Sequence, residues 1–384
     1  MKSEILQITS IAYGGDGIAR GSDGKICFVP GALPGEEIKA ATQVEKKRFN
    51  RAKLVKVIRS SAHRTAPECP EYAADRCPGC AYLHCSYEFE LSCKHEQLHS
   101  FLVRKSLLEA DALLPPFASP ARFGCRNKLV MHRSGGTSGY VSKDNITVFP
   151  VKKCLLARPE LNELLAANQV EYERETFRFT AKDGALKVNG CQIRYLTENI
   201  PGAGEFKVAP DGFFQTNIPV AAEIVRRVTE EIANSGSSNL VELYCGTGVF
   251  SIAAAEKISD LRCTGVEFSA AAVAAAKINA ADHNVSGQCC FIAGDAGKIL
   301  RKLQPEYPHI MVVDPPRAGL DETALKAIID AAPVKLIYIS CAPDTLSRDL
   351  TVLCRNGYTV KNAGVLDMFP GTAHFETIAV LNKI

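Results

Sequence analysis

The sequence predicts a multidomain α/β protein: a small N-terminal β-barrel of the OB type, a central α+β segment, and a C-terminal doubly wound domain. Three observations predict it. From Phe206 onward, the short apolar runs Asn239–Leu243, Arg262–Glu267, Cys289–Ala293, His309–Val313 and Lys335–Ile339 alternate with helical stretches, the pattern of a parallel sheet covered by helices. In the first sixty residues, the strand-like runs Ile5–Ile8, Lys25–Val29, Glu37–Thr42 and Leu54–Ile58 are separated by the turn signals Gly14-Gly15-Asp16-Gly17 and Pro34-Gly35. Short strands so closely spaced read as a small barrel, an architecture that often binds nucleic acid. Between these regions, residues 61–85 are rich in cysteine and lack periodicity. Residues 86–113 read as an amphipathic helix that can pack on the C-terminal domain. Pro115 to Gly204 read as short strands around one helix, Pro159–Asn168. The expected division is therefore 1–60, 61–205 and 206–384.

With 384 residues and 46% hydrophobic content, the chain can bury a sizeable core. Met1 to Ser10 contain no long apolar run, and no stretch is apolar enough to span a bilayer, so a cytoplasmic protein without a membrane partner is expected. Fifteen cysteines in such a chain point to metal ligation, catalysis and burial before a disulfide framework. The net charge of +3 hides an asymmetry: Lys39 to Arg64 hold nine Lys/Arg against the single acid Glu45, or +8, leaving −5 for the remainder. A basic block on a mildly acidic body fits either an anionic polymer or a solvated charged face.

Leu240-Val241-Glu242-Leu243-Tyr244-Cys245-Gly246-Thr247-Gly248 reads as a strand entering a Gly-x-Gly turn, followed by a helix over Val249–Lys257. The glycines let backbone approach a ligand at the carboxyl end of the strand. The next strand ends in Glu267, whose carboxylate can accept both hydroxyls of a ribose. The third leads to Asp295, placed to hold an adenine amino group. A Gly-x-Gly alone is common in structural turns; three such features in order at successive strand ends carry more information. A nicotinamide site favours a third glycine where Ser251 stands, so the spacing favours S-adenosylmethionine.

The fourth strand leads into Asp314-Pro315-Pro316-Arg317-Ala318-Gly319, where the prolines stiffen the exit and hold Asp314 at the sheet edge. Amino-group methyltransferases carry an aromatic after this Asp-Pro-Pro; Arg317 argues against that chemistry and against a DNA substrate. The fifth strand ends at Ser340-Cys341-Ala342-Pro343. Burial is the commonest fate of a cysteine, but Cys341 falls at a strand end, across from the cofactor motifs. A methyltransferase needs such a thiolate when its acceptor is C5 of uracil, a poor nucleophile. Addition of the thiolate at C6 makes C5 an enolate carbon able to take a methyl group, and a base must then remove the C5 proton so that the thiol can leave. Glu376, in Phe369-Pro370-Gly371-Thr372-Ala373-His374-Phe375-Glu376, is the base candidate. The thiol's ordinary pKa of about 8.5 requires the site to lower it or to deprotonate it on binding.

Taken together, Phe214-Gln215-Thr216-Asn217, Leu243–Gly248, Asp314–Gly319, Ser340–Pro343 and Phe369–Glu376 resemble the motifs of the RNA uracil-5-methyltransferase family, over nearly the whole chain. The segment from Gly24 to Glu36 resembles the TRAM domain of RNA-modifying enzymes. The resemblance implies a Rossmann-like class I methyltransferase domain, with Cys341 as nucleophile and Glu376 as proton acceptor. It implies that Gln215, Tyr244, Glu267 and Asp314 line the cofactor and uracil pockets with Gly246. Two positions depart from the family pattern: Ala342 stands where Asn is usual and Gly371 where His is usual.

Cys69, Cys77 and Cys80, separated by prolines and a glycine, read as a loop around a metal, either zinc or an iron–sulfur cluster. The resemblance implies a [4Fe–4S] cluster with Cys154 as the distant fourth ligand, and Cys85 competes locally for that place. The reaction needs no electron, so a structural or RNA-positioning role is expected. RNA is the expected partner of a monomeric enzyme. The barrel and cysteine group resemble the 23S ribosomal RNA branch of the family, and transfer RNA is the alternative substrate. A non-catalytic RNA-binding protein with a relic methyltransferase fold is the remaining alternative. The target uridine has to leave its stack to be reached. Lys46 to Arg64 would hold phosphates, and Arg126-Asn127-Lys128 is a further contact candidate.

Overall fold

The computed structural model describes residues 3–167, 170–303 and 305–384. Its largest element is an eight-stranded sheet, in the spatial order Cys289–Ala293, Arg262–Glu267, Asn239–Leu243, Ile310–Val313, Lys335–Ser340, Glu376–Lys383, Tyr358–Leu366, Leu113–Phe117. The first five run parallel. Glu376–Lys383 is inserted antiparallel between Lys335–Ser340 and Tyr358–Leu366. The helices on either side explain why these strands are apolar on both faces. Leu240, Val312 and Ile337 face the helices Ile218–Ala233, Val249–Lys257 and Ala270–Asp282. Val241, Met311, Val313 and Tyr338 face Ala296–Leu303, Glu322–Ala331 and Pro343–Arg355.

The bounds of the five parallel strands match the expected ones to within a residue, and the sheet also takes in Leu113–Phe117, Tyr358–Leu366 and Glu376–Lys383. The helix expected over 86–113 stops at Leu102, capped at its start by the Ser86 hydroxyl, which accepts from Phe89 N. After a short 3₁₀ turn the chain enters Leu113–Phe117, an edge strand of the catalytic sheet pairing in parallel with Tyr358–Leu366. The physical reason is edge protection: an unpaired outer strand would leave backbone groups open. That strand carries two consecutive prolines, tolerated at a sheet edge, and the sequence reading divided it between the end of a helix and the start of the next segment. The 87–102 helix packs Leu98 and Leu102 into the core on one face of the eight-stranded sheet.

Residues 3–59 form one six-stranded sheet, with Ser10–Ile11 and Gly17–Arg20 as strands the sequence reading did not separate. Its core, including Leu6, Ile8, Val29 and Ile38, comes from its own strands and turns, so the sheet curls on itself. The middle segment contributes a five-stranded sheet and the helix Pro159–Ala167; Asn168, its expected last residue, lies outside the described residues. The hairpin Leu196–Ile200 with Gly204–Val208 straddles residue 206 and docks on the catalytic domain, where Asn279 accepts from Lys207 N at 2.6 Å. No helix among the described residues is long and apolar enough to cross a membrane.

Candidate active site

The sheet reverses its winding between Asn239–Leu243 and Ile310–Val313, the place where open α/β sheets bind ligands beyond the strand ends. Leu243 pairs with Val313, so Tyr244 and Asp314 emerge side by side. Tyr244 holds φ +63°, a left-handed conformation that a tyrosine adopts at a cost and that recurs at functional sites. Gly248 starts the next helix at φ +82°, and a Cβ there would lie 2.6 Å from the Phe291 ring. Gly246 N donates to Glu267 Oε2 at 3.1 Å, and Glu267 Oε1 accepts from Ser269 N. Around Gly246 a Cβ would meet nothing within 4 Å: the glycine loop faces open space rather than packed side chains.

That space is a cleft of about 550 Å³, lined by Gln215, Tyr244, Gly246 and Asp314 among the sequence candidates. Glu267 reaches it through its bond to the loop. Asp295 stays outside the lining, its carboxylate accepting from Lys298 N at a helix start. The cleft also holds two residues the sequence reading missed. Phe213 is largely exposed at its edge. Glu242 is buried in its wall, accepting from Ser251 N at 2.9 Å and from the Ser251 hydroxyl; burial pushes its carboxyl up to about 8 against those bonds. One signal was available for Glu242: an acid inside an otherwise apolar strand. The serine in place of a third glycine holds that acid. Gln215 is positioned by the middle segment, since Asn127 Nδ2 donates to its carbonyl at 3.2 Å. Asn127 thus supports the cleft, while Arg126 lies beside the cysteine group.

The chemical groups meet at the next strand end. Ser340 pairs with Thr377 across the antiparallel ladder, and Tyr338 pairs with Val313. Those two rungs bring Cys341 beside Glu376 and Asp314 beside both. Burial pushes the Cys341 thiol up to about 11, with Glu376 and Asp314 adding to the rise and Arg317 opposing it. The site therefore does not lower the thiol; two carboxylates crowd it. Burial holds Asp314 near 7. Burial, then Asp314, raises Glu376 well above the ordinary carboxylate range. Glu376 is 5% exposed, and its Oε2 is buried without a hydrogen-bond partner. Arg317 donates to the His374 ring at 2.9 Å, and burial, then Arg317, holds that imidazole down at about 4.

Both departures from the family pattern have local explanations. Gly371 adopts φ +78°, its N donates to Glu90 Oε1 at 2.5 Å, and its carbonyl accepts from Ala81 and Tyr82. That clamp needs a residue tolerant of the left-handed region. Ala342 precedes the helix Pro343–Arg355, which has no side-chain cap; the Ser340 hydroxyl accepts from Ala342 N instead.

The cysteine group is arranged differently. Burial raises the thiols of Cys77 and Cys80, and each is further raised by Cys69 and Cys154. Cys154, not Cys85, is therefore the fourth neighbour: the Cys85 thiol donates to the Tyr82 carbonyl and lies near Glu90 and Arg122. A set of four thiols fits an iron–sulfur cluster or zinc in donor type. In spacing it is more open, since no group of three or more His, Cys, Asp or Glu among the described residues is close enough to hold a metal ion. The ligands come from loops, which no ladder holds in register, and this is the physical reason the expected site is not closed.

A profile described as tRNA (Uracil-5-)-methyltransferase matches residues 190–292 and 301–384. An RNA methyltransferase of Thermosynechococcus vestitus is 30% identical, covering 98% of this chain and 97% of its own. One from Thermotoga maritima is 28% identical, covering 99% of each chain. Among solved structures, the Pyrococcus abyssi tRNA (uracil-54, C5)-methyltransferase in complex with S-adenosyl-L-homocysteine superposes with a TM-score of 0.75 at 21% identity, over 98% of this chain and 100% of that one. The profile match and the 30% identity over nearly the whole chain identify the chain as a member of the S-adenosylmethionine-dependent RNA uracil-5-methyltransferase family.

Proposed function

We propose that the chain methylates C5 of a uridine in RNA, 23S ribosomal RNA in the leading reading, through a covalent bond from Cys341 to C6. The observation that carries the mechanism is the meeting of Cys341, Asp314 and an unpartnered, buried Glu376 at neighbouring strand ends. Gln215, Tyr244, Gly246, Glu267 and Asp314 would hold S-adenosylmethionine or the uracil, with Asp295 as the more distant adenine candidate. The cofactor supplies a methyl group on a positively charged sulfur. The Cys341 thiol loses its proton as the uracil binds, because the thiol itself is held near 11. The thiolate then adds to C6, and the electron pair displaced from the C5–C6 bond makes C5 nucleophilic. After C5 has taken the methyl group, the Glu376 carboxylate accepts the C5 proton, the C5=C6 bond re-forms and the thiolate leaves. Burial suits Glu376 to this task, since a raised carboxylate is a stronger base.

The curled sheet of residues 3–59, with its basic block, and the middle segment would hold the RNA. The four thiolates of Cys69, Cys77, Cys80 and Cys154 would hold a [4Fe–4S] cluster in a structural or RNA-positioning role. Transfer RNA is the second reading. The Pyrococcus enzyme spans the same length as this chain, so overall architecture does not by itself separate the two RNAs.

The test is incubation with 5-fluorouridine-substituted RNA and S-adenosylmethionine. Fluorine at C5 blocks the last proton removal, so a denaturation-resistant adduct should accumulate with ribosomal RNA and vanish in Cys341→Ser. An adduct with transfer RNA alone reassigns the substrate and keeps the mechanism. If neither RNA forms an adduct while the cofactor binds, the covalent mechanism fails.

A further inference from the structure

The N-terminal sheet does more than lie beside the catalytic domain. Tyr13 follows its short strand Ser10–Ile11 and packs edge-on against Phe101 at 5.8 Å and Phe375 at 6.2 Å. Phe375 lies between His374 and Glu376 in the chain, so the ring joins the catalytic core. Its approach is fixed on both sides. Gln97 Nε2 donates to the Ala12 carbonyl at 3.1 Å and to the Tyr82 hydroxyl at 2.8 Å. Gly15, at φ +94°, comes so near residue 81 that a Cβ would lie 2.8 Å from the Ala81 methyl. The Tyr13 hydroxyl is shielded from solvent and has no hydrogen-bond partner. A buried, unsatisfied donor is uncommon in a native fold and asks for a reason.

The groups around that hydroxyl supply one. They are Arg317, close by but outside hydrogen-bond geometry, Asp344 from the start of the helix Pro343–Arg355, and Cys341. Arg317 donates to the ring of His374 rather than to a carboxylate. A phenol donor and a guanidinium thus lie within electrostatic reach of the nucleophile, as Glu376 and Asp314 do. We propose that Tyr13 is a substrate-binding residue of the methylation reaction, its hydroxyl donating together with Arg317 to an oxygen of the RNA that carries negative charge beside Cys341. This rests on the covalent reading above. The oxygen belongs either to a backbone phosphate of the target nucleotide or to the uracil carbonyl that gains charge when the thiolate adds. In both cases the N-terminal sheet contributes directly to the active site.

Tyr13→Phe removes the hydroxyl and keeps the ring packing. With the full chain and ribosomal or transfer RNA, whichever forms the wild-type adduct, we expect kcat/KM to fall about tenfold or more. Thermal midpoint and S-adenosylmethionine affinity should stay unchanged. If the partner is phosphate, the loss falls on KM and on RNA affinity, with kcat kept. If it is the carbonyl, the loss falls on kcat and the 5-fluorouridine adduct forms more slowly. Wild-type kcat/KM in Tyr13→Phe overturns the proposal and leaves the covalent reading standing. A loss matched by lower thermal stability and weaker cofactor binding overturns it too, making Tyr13 a packing residue. Absence of an adduct in the wild-type protein removes the covalent reading and this proposal together.

Discussion

The molecule gathers ionisable groups in two places, at the end of the catalytic sheet and in the cysteine loops, and it builds the two differently. Cys341, Asp314 and Glu376 each follow or begin a strand, and the ladder pairs Ser340 with Thr377 and Tyr338 with Val313. Their separation is set by backbone hydrogen bonds that form whether or not a substrate is present. Cys69, Cys77, Cys80 and Cys154 come from irregular segments, and among the described residues no group of three metal-ligating side chains closes to ligand spacing. The comparison teaches that a sheet can hold ionisable groups together against their repulsion, whereas loops leave their spacing open. It also predicts that the first site survives loss of the second.

The sharpest way to break this comparison is a pair of thiol substitutions. Cys341→Ser should lower methylation by about 10⁴-fold or more, as removal of an enzymatic nucleophile does, with cofactor affinity and folding retained. Cys80→Ser should abolish bound iron and sulfide, read by absorbance and metal analysis, yet leave adduct formation on a short RNA within about tenfold of wild type. A loss of activity in Cys80→Ser as large as in Cys341→Ser would show that the two places are one functional unit.

A buried bond network holds the segment that leads to Glu376. Lys94 is fully buried, donating to Glu90 at 2.8 Å, to Asp367 at 2.7 Å and to the Phe369 carbonyl. Glu90 also accepts from Gly371 N and pairs with Arg122, while Asp367 accepts from Tyr87. The helix Tyr87–Leu102 therefore grips the loop that leads to Glu376. Lys94→Met removes the cation shared by two buried carboxylates and should cost about 3–5 kcal/mol, measured by urea denaturation. A change below about 1 kcal/mol would mean that the loop is held by packing rather than by charge.

The pH dependence follows from the raised groups. The Cys341 thiol, held near 11, and the raised Glu376 must both be deprotonated to act, so both make activity rise with pH. Single-turnover adduct formation should rise about tenfold per pH unit on the acid side of the thiol's pKa. A rate independent of pH between 7 and 9 would mean that loss of the thiol proton does not limit adduct formation. The smallest expected effect belongs to Gly371. An alanine there must adopt φ +78° and lie 3.1 Å from a Leu83 methyl. It should destabilise the protein by about 1–2 kcal/mol, seen as a lower melting temperature, with the adduct chemistry intact.

The catalytic half was legible in the chain because its signals are local. A strand of apolar residues, a glycine turn and an acid at a strand end each reflect backbone conformation within a few residues. Once the strand order was that of a doubly wound sheet, their meeting at one edge followed. Glu242 was missed although its signal was present, an acid among apolar neighbours. Leu113–Phe117 was missed as one strand because two prolines disguise an edge strand. Tyr13 carried no signal at all.

By itself, then, the sequence determined the alternation of strands and helices, the residues at the strand ends, and the family to which the motifs belong, because periodicity and turn chemistry are properties of short segments. Only the tertiary structure decided which acids are buried, that Cys154 rather than Cys85 neighbours the other three thiols, and that a tyrosine from the first sheet packs against Phe375, next to Glu376 in the chain. Those depend on contacts between segments up to several hundred residues apart, where burial and neighbouring charge set each group's chemistry and no local pattern records the partner.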